Sequence, residues 1–287
     1  ASGRLSEAAI GRALEALAIC RDKMRNRNVS RARLIATEAC RSAENGPEFL
    51  ARVREGVGIE LEVVDRETEA DLAATGCTTL IDPNAQGVLL FDIGGGSSEL
   101  VRLGRGSVGE GGPPIPEILA WASLPLGVVT LAERHGGMRV DRPLYETMVA
   151  EVADHVAPFA ATHAPELRPD AIHMLGTSGT VTTIAGVHLG LLRYDRRRVD
   201  GCWLSDRQVT AVLEQLLAMT YEARVANPCI GGERADLVLA GCAILDAIRR
   251  AFPCARLRVA DRGLREGILV KLMREDRVWS GAAERLQ

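Results

Sequence analysis

Apolar positions recur at helical spacing from the start of the chain. Ile10, Leu14 and Leu17 share one face of a helix that Ser6 is placed to cap and that ends near Asn26 to Asn28. Leu34-Ile35-Ala36 predicts a short strand, and Pro47 suits the first turn of a helix closed near Gly56 to Gly58. The alternation Ile59-Glu60-Leu61-Glu62-Val63-Val64 predicts another strand, followed by a helix over Glu67 to Ala74. Val88-Leu89-Leu90-Phe91 then reads as a buried strand, Gly94-Gly95-Gly96 as a tight turn, and Ser97-Ser98-Glu99-Leu100-Val101-Arg102-Leu103 as the returning strand. Gly104 to Pro116, with five glycines and three prolines, predicts an irregular surface excursion. Beyond it the pattern gives a helix near Arg142 to Phe159 and a strand over Ala171 to Leu175. That strand leads through a loop, Gly176-Thr177-Ser178-Gly179-Thr180, into a helix. Helices near Ser205 to Thr220 and Glu233 to Arg250, a strand over Leu257 to Ala260 and a helix after Gly263 complete it. Val238 to Leu245 is apolar on most faces and predicts core. The repeated alternation of helix and strand argues for α/β layering.

At 287 residues there is room for two domains, each with its own core. Apolar residues make up 47% but aromatics only 3%, so the cores are built from aliphatic side chains. No uncharged apolar run of about 18 residues is present to span a membrane. Arg4, Glu7, Arg12 and Glu15 break up any signal-peptide core. The seven cysteines include no CxxC pair and are odd in number, which fits a reducing cytoplasm better than a secreted disulfide framework. The five histidines lack metal-binding spacing, so no zinc site is expected. With a net charge of −3 the chain as a whole does not advertise a polyanion partner, and the reading includes neither nucleic acid nor membrane. The densest basic run is Arg193-Tyr194-Asp195-Arg196-Arg197-Arg198, either a solvated face or a contact for a phosphate chain.

The richest chemistry lies in Asp92-Ile93-Gly94-Gly95-Gly96-Ser97-Ser98-Glu99. Glycines without Cβ can reach positive φ and let a bulky anion approach the backbone N–H groups, so Gly94, Gly95, Gly96 and Ser97 are candidate phosphate donors. Asp92 and Glu99, on the flanking strands, can converge on a divalent cation, which would let carboxylates sit beside phosphate. The segment after Gly96 reads as strand, not as the helix that a dinucleotide fingerprint opens, and no lysine follows to make a P-loop. The plain alternative is a hairpin turn with a polar tip. Ser178, Gly179 and Thr180 offer hydroxyls and amides at a helix N-terminus, a second anion-friendly feature. Glu69, taken alone, is an acid favoured by the dipole of a helix start.

In order and spacing, six stretches resemble the exopolyphosphatase and guanosine pentaphosphate phosphohydrolase family, a branch of the actin-like ATPase superfamily. They are Ala36-Thr37-Glu38-Ala39-Cys40-Arg41, Glu67-Thr68-Glu69-Ala70, the glycine turn, Leu124-Pro125-Leu126-Gly127, Gly176-Thr177-Ser178-Gly179-Thr180 and Asp261-Arg262-Gly263-Leu264-Arg265-Glu266-Gly267. The resemblance implies an α/β fold of two actin-like, ribonuclease H-like domains with a cleft between them. Domain one would comprise residues 1–73 plus about 274–287, and domain two residues 74–273. Family members open with a strand hairpin carrying Asp-x-Gly-[Ser/Thr]-Asn-Ser, absent here, so the first strands of domain one are missing and the natural protein is expected to be longer at its N-terminus. No C-terminal helical extension follows, as in the family's short form. By resemblance Glu69 activates the attacking water, Asp92 and Glu99 hold Mg²⁺ or Mn²⁺, and Arg41 and Arg234 contact phosphate. Ser178, Gly179, Thr180, Arg196, Arg197 and Arg198 would extend a substrate track. The implied activity is exopolyphosphatase, releasing orthophosphate from inorganic polyphosphate. The alternatives are guanosine pentaphosphate 5′-phosphohydrolase and a sensor that binds without turnover. Homodimers are common in the family.

Overall fold

The structure is a computed structural model describing residues 3–107, 112–164, 167–169 and 171–279. The chain divides into two compact units, Ala1–Glu69 and Ala70–Gln287. The break falls inside one helix.

In the first unit, α1 (Glu7–Asn26) starts where the Ser6 hydroxyl accepts the Ala9 N–H. Then follow β1 (Ile35–Ala36), α2 (Glu38–Ser42) and α3 (Gly46–Arg52), which runs on into one π-helical turn, Val53–Val57. Gly58 ends that turn at φ +72°, a left-handed closure that glycine makes without strain. Ile10, Phe49, Val53 and Val57 form the core. The strand expected over residues 59–64 shrinks to β2 (Glu62–Val63), paired parallel with β1. Its neighbour offers only Ile35 and Ala36, so alternation upstream of Glu62 finds no ladder to join.

Helix α4 (Arg66–Cys77) leads into the second unit, whose strands are β3 (Gly87–Ile93), β4 (Ser98–Leu103) and β5 (Ile118–Leu124). They are followed by α5 (Val128–His135), α6 (Arg142–His163), β6 (Ile172–Thr177), α7 (Ser178–His188), α8 (Arg196–Val199) and β7 (Trp203–Ser205). The chain continues with α9 (Asp206–Ala218), α10 (Tyr221–Ala226), α11 (Val238–Ala251), β8 (Arg256–Val259) and α12 (Leu264–Glu275). The sheet order is β5-β4-β3-β6-β8-β7, an antiparallel meander of three strands to which β6 and β8 add in parallel. Side chains alternate across β3: Leu89, Phe91 and Ile93 enter the large core with α6, α7 and α11, whereas Val88 and Leu90 face Ala70, Ala74 and Cys77 of α4.

Three elements of the meander region and its far edge, β5, α5 and β7, were not anticipated. Conversely α11 begins five residues later than the apolar pattern suggested, because Gly231 at φ +76° and successive turns occupy the preceding stretch. Of the irregular excursion, residues 108–111 lie outside the described residues, and the remainder is tied by the bridge Ser107–Ile115. The C-terminal helix is grouped with the second unit. There Gly267 packs on the Leu72 backbone and Lys271 pairs with Asp71. Of the segment about 274–287 assigned by resemblance to domain one, residues 280–287 lie outside the described residues. No helix among the described residues is long and apolar enough to cross a membrane.

Candidate active site

In the second unit, the β3–β4 register sets Asp92 directly opposite Glu99, and residues opposed in an antiparallel pair project from the same face. They extend the rows Val88, Leu90 and Val101, Leu103, so this face turns from apolar to acidic at the glycine end of the hairpin. Glu99 is buried, and its Oε1 accepts from the hydroxyls of Ser97 at 2.7 Å and Ser123 at 3.1 Å. Asp92 Oδ1 accepts from Ser178 Oγ. Burial pushes the Asp92 carboxyl up, and the Ser178 bond pulls it part of the way back. Among the described residues no third acidic, histidine or cysteine side chain joins them. Two hard oxygen donors fit Mg²⁺, which is held by one or two carboxylates and completes its shell with water and substrate phosphate.

The glycine turn differs from expectation in two respects. None of Gly94, Gly95 and Gly96 has a positive φ. Close approach explains the glycines instead: a Cβ on Gly94 would lie 2.9 Å from the Ser97 carbonyl oxygen, and one on Gly127 would lie 2.5 Å from backbone atoms of Gly94 and Gly95. Nor is the Gly94 N–H available to phosphate, because it is donated to the Ser97 carbonyl at 3.0 Å. The N–H groups of Gly95, Gly96 and Ser97 make no such bond among the described residues and remain the candidate donors. The carbonyls of Gly94 and Gly95 in turn accept the first N–H groups of α5, from Val128 and Val129, so the helix N-terminus clamps the turn from behind.

Strand β6 passes into α7 without a loop, and Ser178 at the junction has φ +72°, a conformation that a non-glycine residue adopts only when its surroundings enforce it. Gly179 has the Arg234 guanidinium 3.6 Å from where its Cβ would stand. A cavity of about 300 Å³ is lined by Gly94, Gly95, Val128, Ser178, Gly179, Thr180 and Arg234. A second, of about 600 Å³, shares Ser178, Gly179 and Arg234 and adds Tyr194, Glu233, Asp261 and Arg265. Arg234 is exposed and forms no ion pair among the described residues, which leaves its guanidinium open to an anion. Thr180 is buried, with its hydroxyl packed against Gly241 of α11. Arg196 is committed elsewhere, donating to the Asp261 carbonyl and to Glu266 at 2.9 Å, while Arg197 and Arg198 are exposed.

In the first unit, Glu69 lies in the first turn of α4, behind Asp65, whose carboxylate accepts the Thr68 N–H. Arg41 donates through Nη1 to the Val64 carbonyl and through Nη2 to both Glu38 and Glu69. Its Nε is buried without a partner. Arg66 reaches both oxygens of Glu38. Sequence reasoning singled out Arg41 and Glu69 but not Glu38 or Arg66. The i,i+3 spacing of Glu38 and Arg41 on α2 was the available signal.

Residues 1–276 match the Ppx/GppA phosphatase family. Exopolyphosphatase 2 of Mycobacterium tuberculosis (strain CDC 1551 / Oshkosh) is 27% identical over 284 residues, which is 95% of this chain and 84% of the relative. A solved exopolyphosphatase from Cytophaga hutchinsonii superposes with a TM-score of 0.82 at 25% identity, covering 95% of this chain and 84% of that one. The Aquifex aeolicus member of the Ppx/GppA family gives 0.73 at 29% identity, over 96% and 84%. The fold is accordingly the α/β one of these solved family structures, as the sequence motifs implied. This chain belongs to the Ppx/GppA phosphatase family.

Proposed function

We propose that the chain is an exopolyphosphatase, hydrolysing the terminal phosphoanhydride bond of inorganic polyphosphate and releasing orthophosphate. The carrying observation is the opposed pair Asp92 and Glu99 beside three amide groups of the glycine turn and the cavity bordered by Arg234. Glu69 takes a proton from water as its oxygen attacks the terminal phosphorus. The bridging P–O bond breaks, and the shortened chain leaves with the electron pair. The amides of Gly95, Gly96 and Ser97 and the guanidinium of Arg234 hold the phosphoryl oxygens, and Arg41 is a further phosphate contact. Asp92 and Glu99 would hold Mg²⁺, which would supply charge neutralisation, the main requirement of phosphoryl transfer. The activities for which the relatives are named support this reading, and the seven unpaired cysteines support a cytoplasmic setting.

A specific observation favours guanosine pentaphosphate as the second substrate. The larger cavity mixes Glu233 and Asp261 with Arg234 and Arg265, a lining suited to a hydroxylated, uncharged group as much as to more phosphate. Side-by-side phosphate-release assays decide between them. Polyphosphate is expected to lead by at least about tenfold in kcat/KM, roughly 1.4 kcal/mol in transition-state binding. Glu69→Gln should lose about 10²- to 10⁴-fold in kcat while binding polyphosphate within a few-fold. Preference for the nucleotide would install the second reading, and parental turnover in Glu69→Gln would remove the assigned base.

A further inference from the structure

The two carboxylates around Arg41 are not equivalent. Arg41 Nη2 lies 2.5 Å from Glu38 Oε2 but 3.3 Å from Glu69 Oε2, and Nη1 is committed to the Val64 carbonyl at 2.5 Å. Charge-assisted bonds of this kind are strongest at about 2.7–2.9 Å or below. Both carboxylates pair with the guanidinium, Glu38 the more closely. Glu38 is itself fixed: Arg66 donates to Oε1 at 3.2 Å and to Oε2 at 3.3 Å, and Ser42 donates to Oε1. Burial alone would push the Glu38 carboxyl up, but the bonds from Arg66, Ser42 and Arg41 outweigh it and hold it at about 2. It stays ionised at any working pH.

Arg41 already donates to Glu69 at 3.3 Å, and released from Glu38 it would draw closer. An arginine set against a carboxylate lowers its pKa by about one to three units, which weakens it as a base. We propose that Glu38 is a positioning residue that holds Arg41 back from a closer pairing with Glu69 and so preserves the basicity of the carboxylate that deprotonates water. The inference rests on Glu69 being the base. The charged groups near Glu69 include Arg41 and Glu38 from α2, Arg66 on its own helix and Asp65 ahead of it, which is occupied with the Thr68 N–H.

The test is the pH dependence of kcat for polyphosphate in Glu38→Gln and Glu38→Asp, each checked for folding by thermal melting. Glu38→Gln should lower kcat about tenfold and move the acid limb of the profile down by about one unit, since a more acidic Glu69 is deprotonated sooner but accepts a proton less readily. Glu38→Asp keeps the charge on a shorter arm and should move the limb the same way by less. A side chain that merely packed would leave the limb in place. A limb unmoved in either folded variant overturns the proposal, and Glu38→Asp carries the test if Glu38→Gln does not fold. Glu69→Gln, run alongside, separates the two failures. If it is inactive and the limb is unmoved, only the positioning role falls, whereas if it retains parental turnover, the base assignment falls.

Discussion

Asp92 stores free energy at the site. Its carboxyl is held above the ordinary aspartate range because burial disfavours the charged form, and one serine hydroxyl only partly compensates. An acid whose folded pKa is raised costs stability when ionised, at pH above that raised value. The cost shrinks as pH falls through it and vanishes below the unfolded value, where both states are protonated. Asp92→Asn should therefore melt about 2–4 °C above the parent near pH 8, the worth of roughly 1 kcal/mol in a domain of this size. The gain should disappear by about pH 3.5. Added Mg²⁺ should narrow it at neutral pH by stabilising only the parent. Melting curves with and without the metal check all three, and equal melting at pH 8 would show that the buried charge costs nothing. At this scale the sequence was readable where chemistry is local. Asp92 and Glu99 sit seven residues apart across one turn, so register follows from the hairpin itself. The bonds of Glu38 and Arg66 were hidden, because they join α2 to α4 across the intervening α3 and β2.

Among the elements, α5 explains most of what the glycine turn needs. Its N-terminal amides grip the carbonyls of Gly94 and Gly95, and Gly127 allows the approach. Gly127→Ala would bring a methyl group to 2.5 Å from three backbone atoms of the turn. Polyphosphate affinity should fall about tenfold or more, with a stability loss of about 1–3 kcal/mol, as for overpacking elsewhere. Binding isotherms and denaturant melts together check it, and unchanged affinity would show that the turn holds its shape unaided. Gly267 plays the corresponding part between α4 and α12. A Cβ there would stand 1.9 Å from the Leu72 carbonyl oxygen, so Gly267→Ala should cost about 3 kcal/mol and be visible in the same melts. The strongly periodic helices α1 and α9 were legible to within a residue or two, and the Ser6 cap expected for α1 is realised. Helix α5 escaped notice because eight residues are too few for the pattern to stand out. Strand β7 has three, and its place is fixed by pairing with β8.

For the whole molecule, scarcity of aromatics is a packing rule. All four phenylalanines are buried, one in the first unit and three in the second. Phe91 lies so close over β6 that a Cβ at Gly176 would stand 2.5 Å from its ring. The rest of both cores is aliphatic, as composition required. The mixed sheet was legible only in part: the β3–β4 hairpin announces itself, but the parallel placement of β6 and β8 is a long-range choice that no local pattern encodes. Since Thr177 ends a strand and Ser178 begins a helix, ladder and helix share a single phase, and the Ser178 hydroxyl is aimed by the register Asp92–Thr177 with no slack between them. One glycine inserted after Thr177 should turn α7 by roughly 100° against the sheet, the rotation of one residue in a helix of 3.6 per turn. Phosphate release should then be lost, while the same insertion after exposed Leu192 should leave it near the parental rate. Assaying the two insertions with their melting temperatures would measure how much length variation this scaffold accepts, and equal activity would show that the junction has slack after all. Such a joint can be retuned by substitution but not by lengthening, so variation in this enzyme's length belongs in the exposed turns, away from the seam between strand and helix.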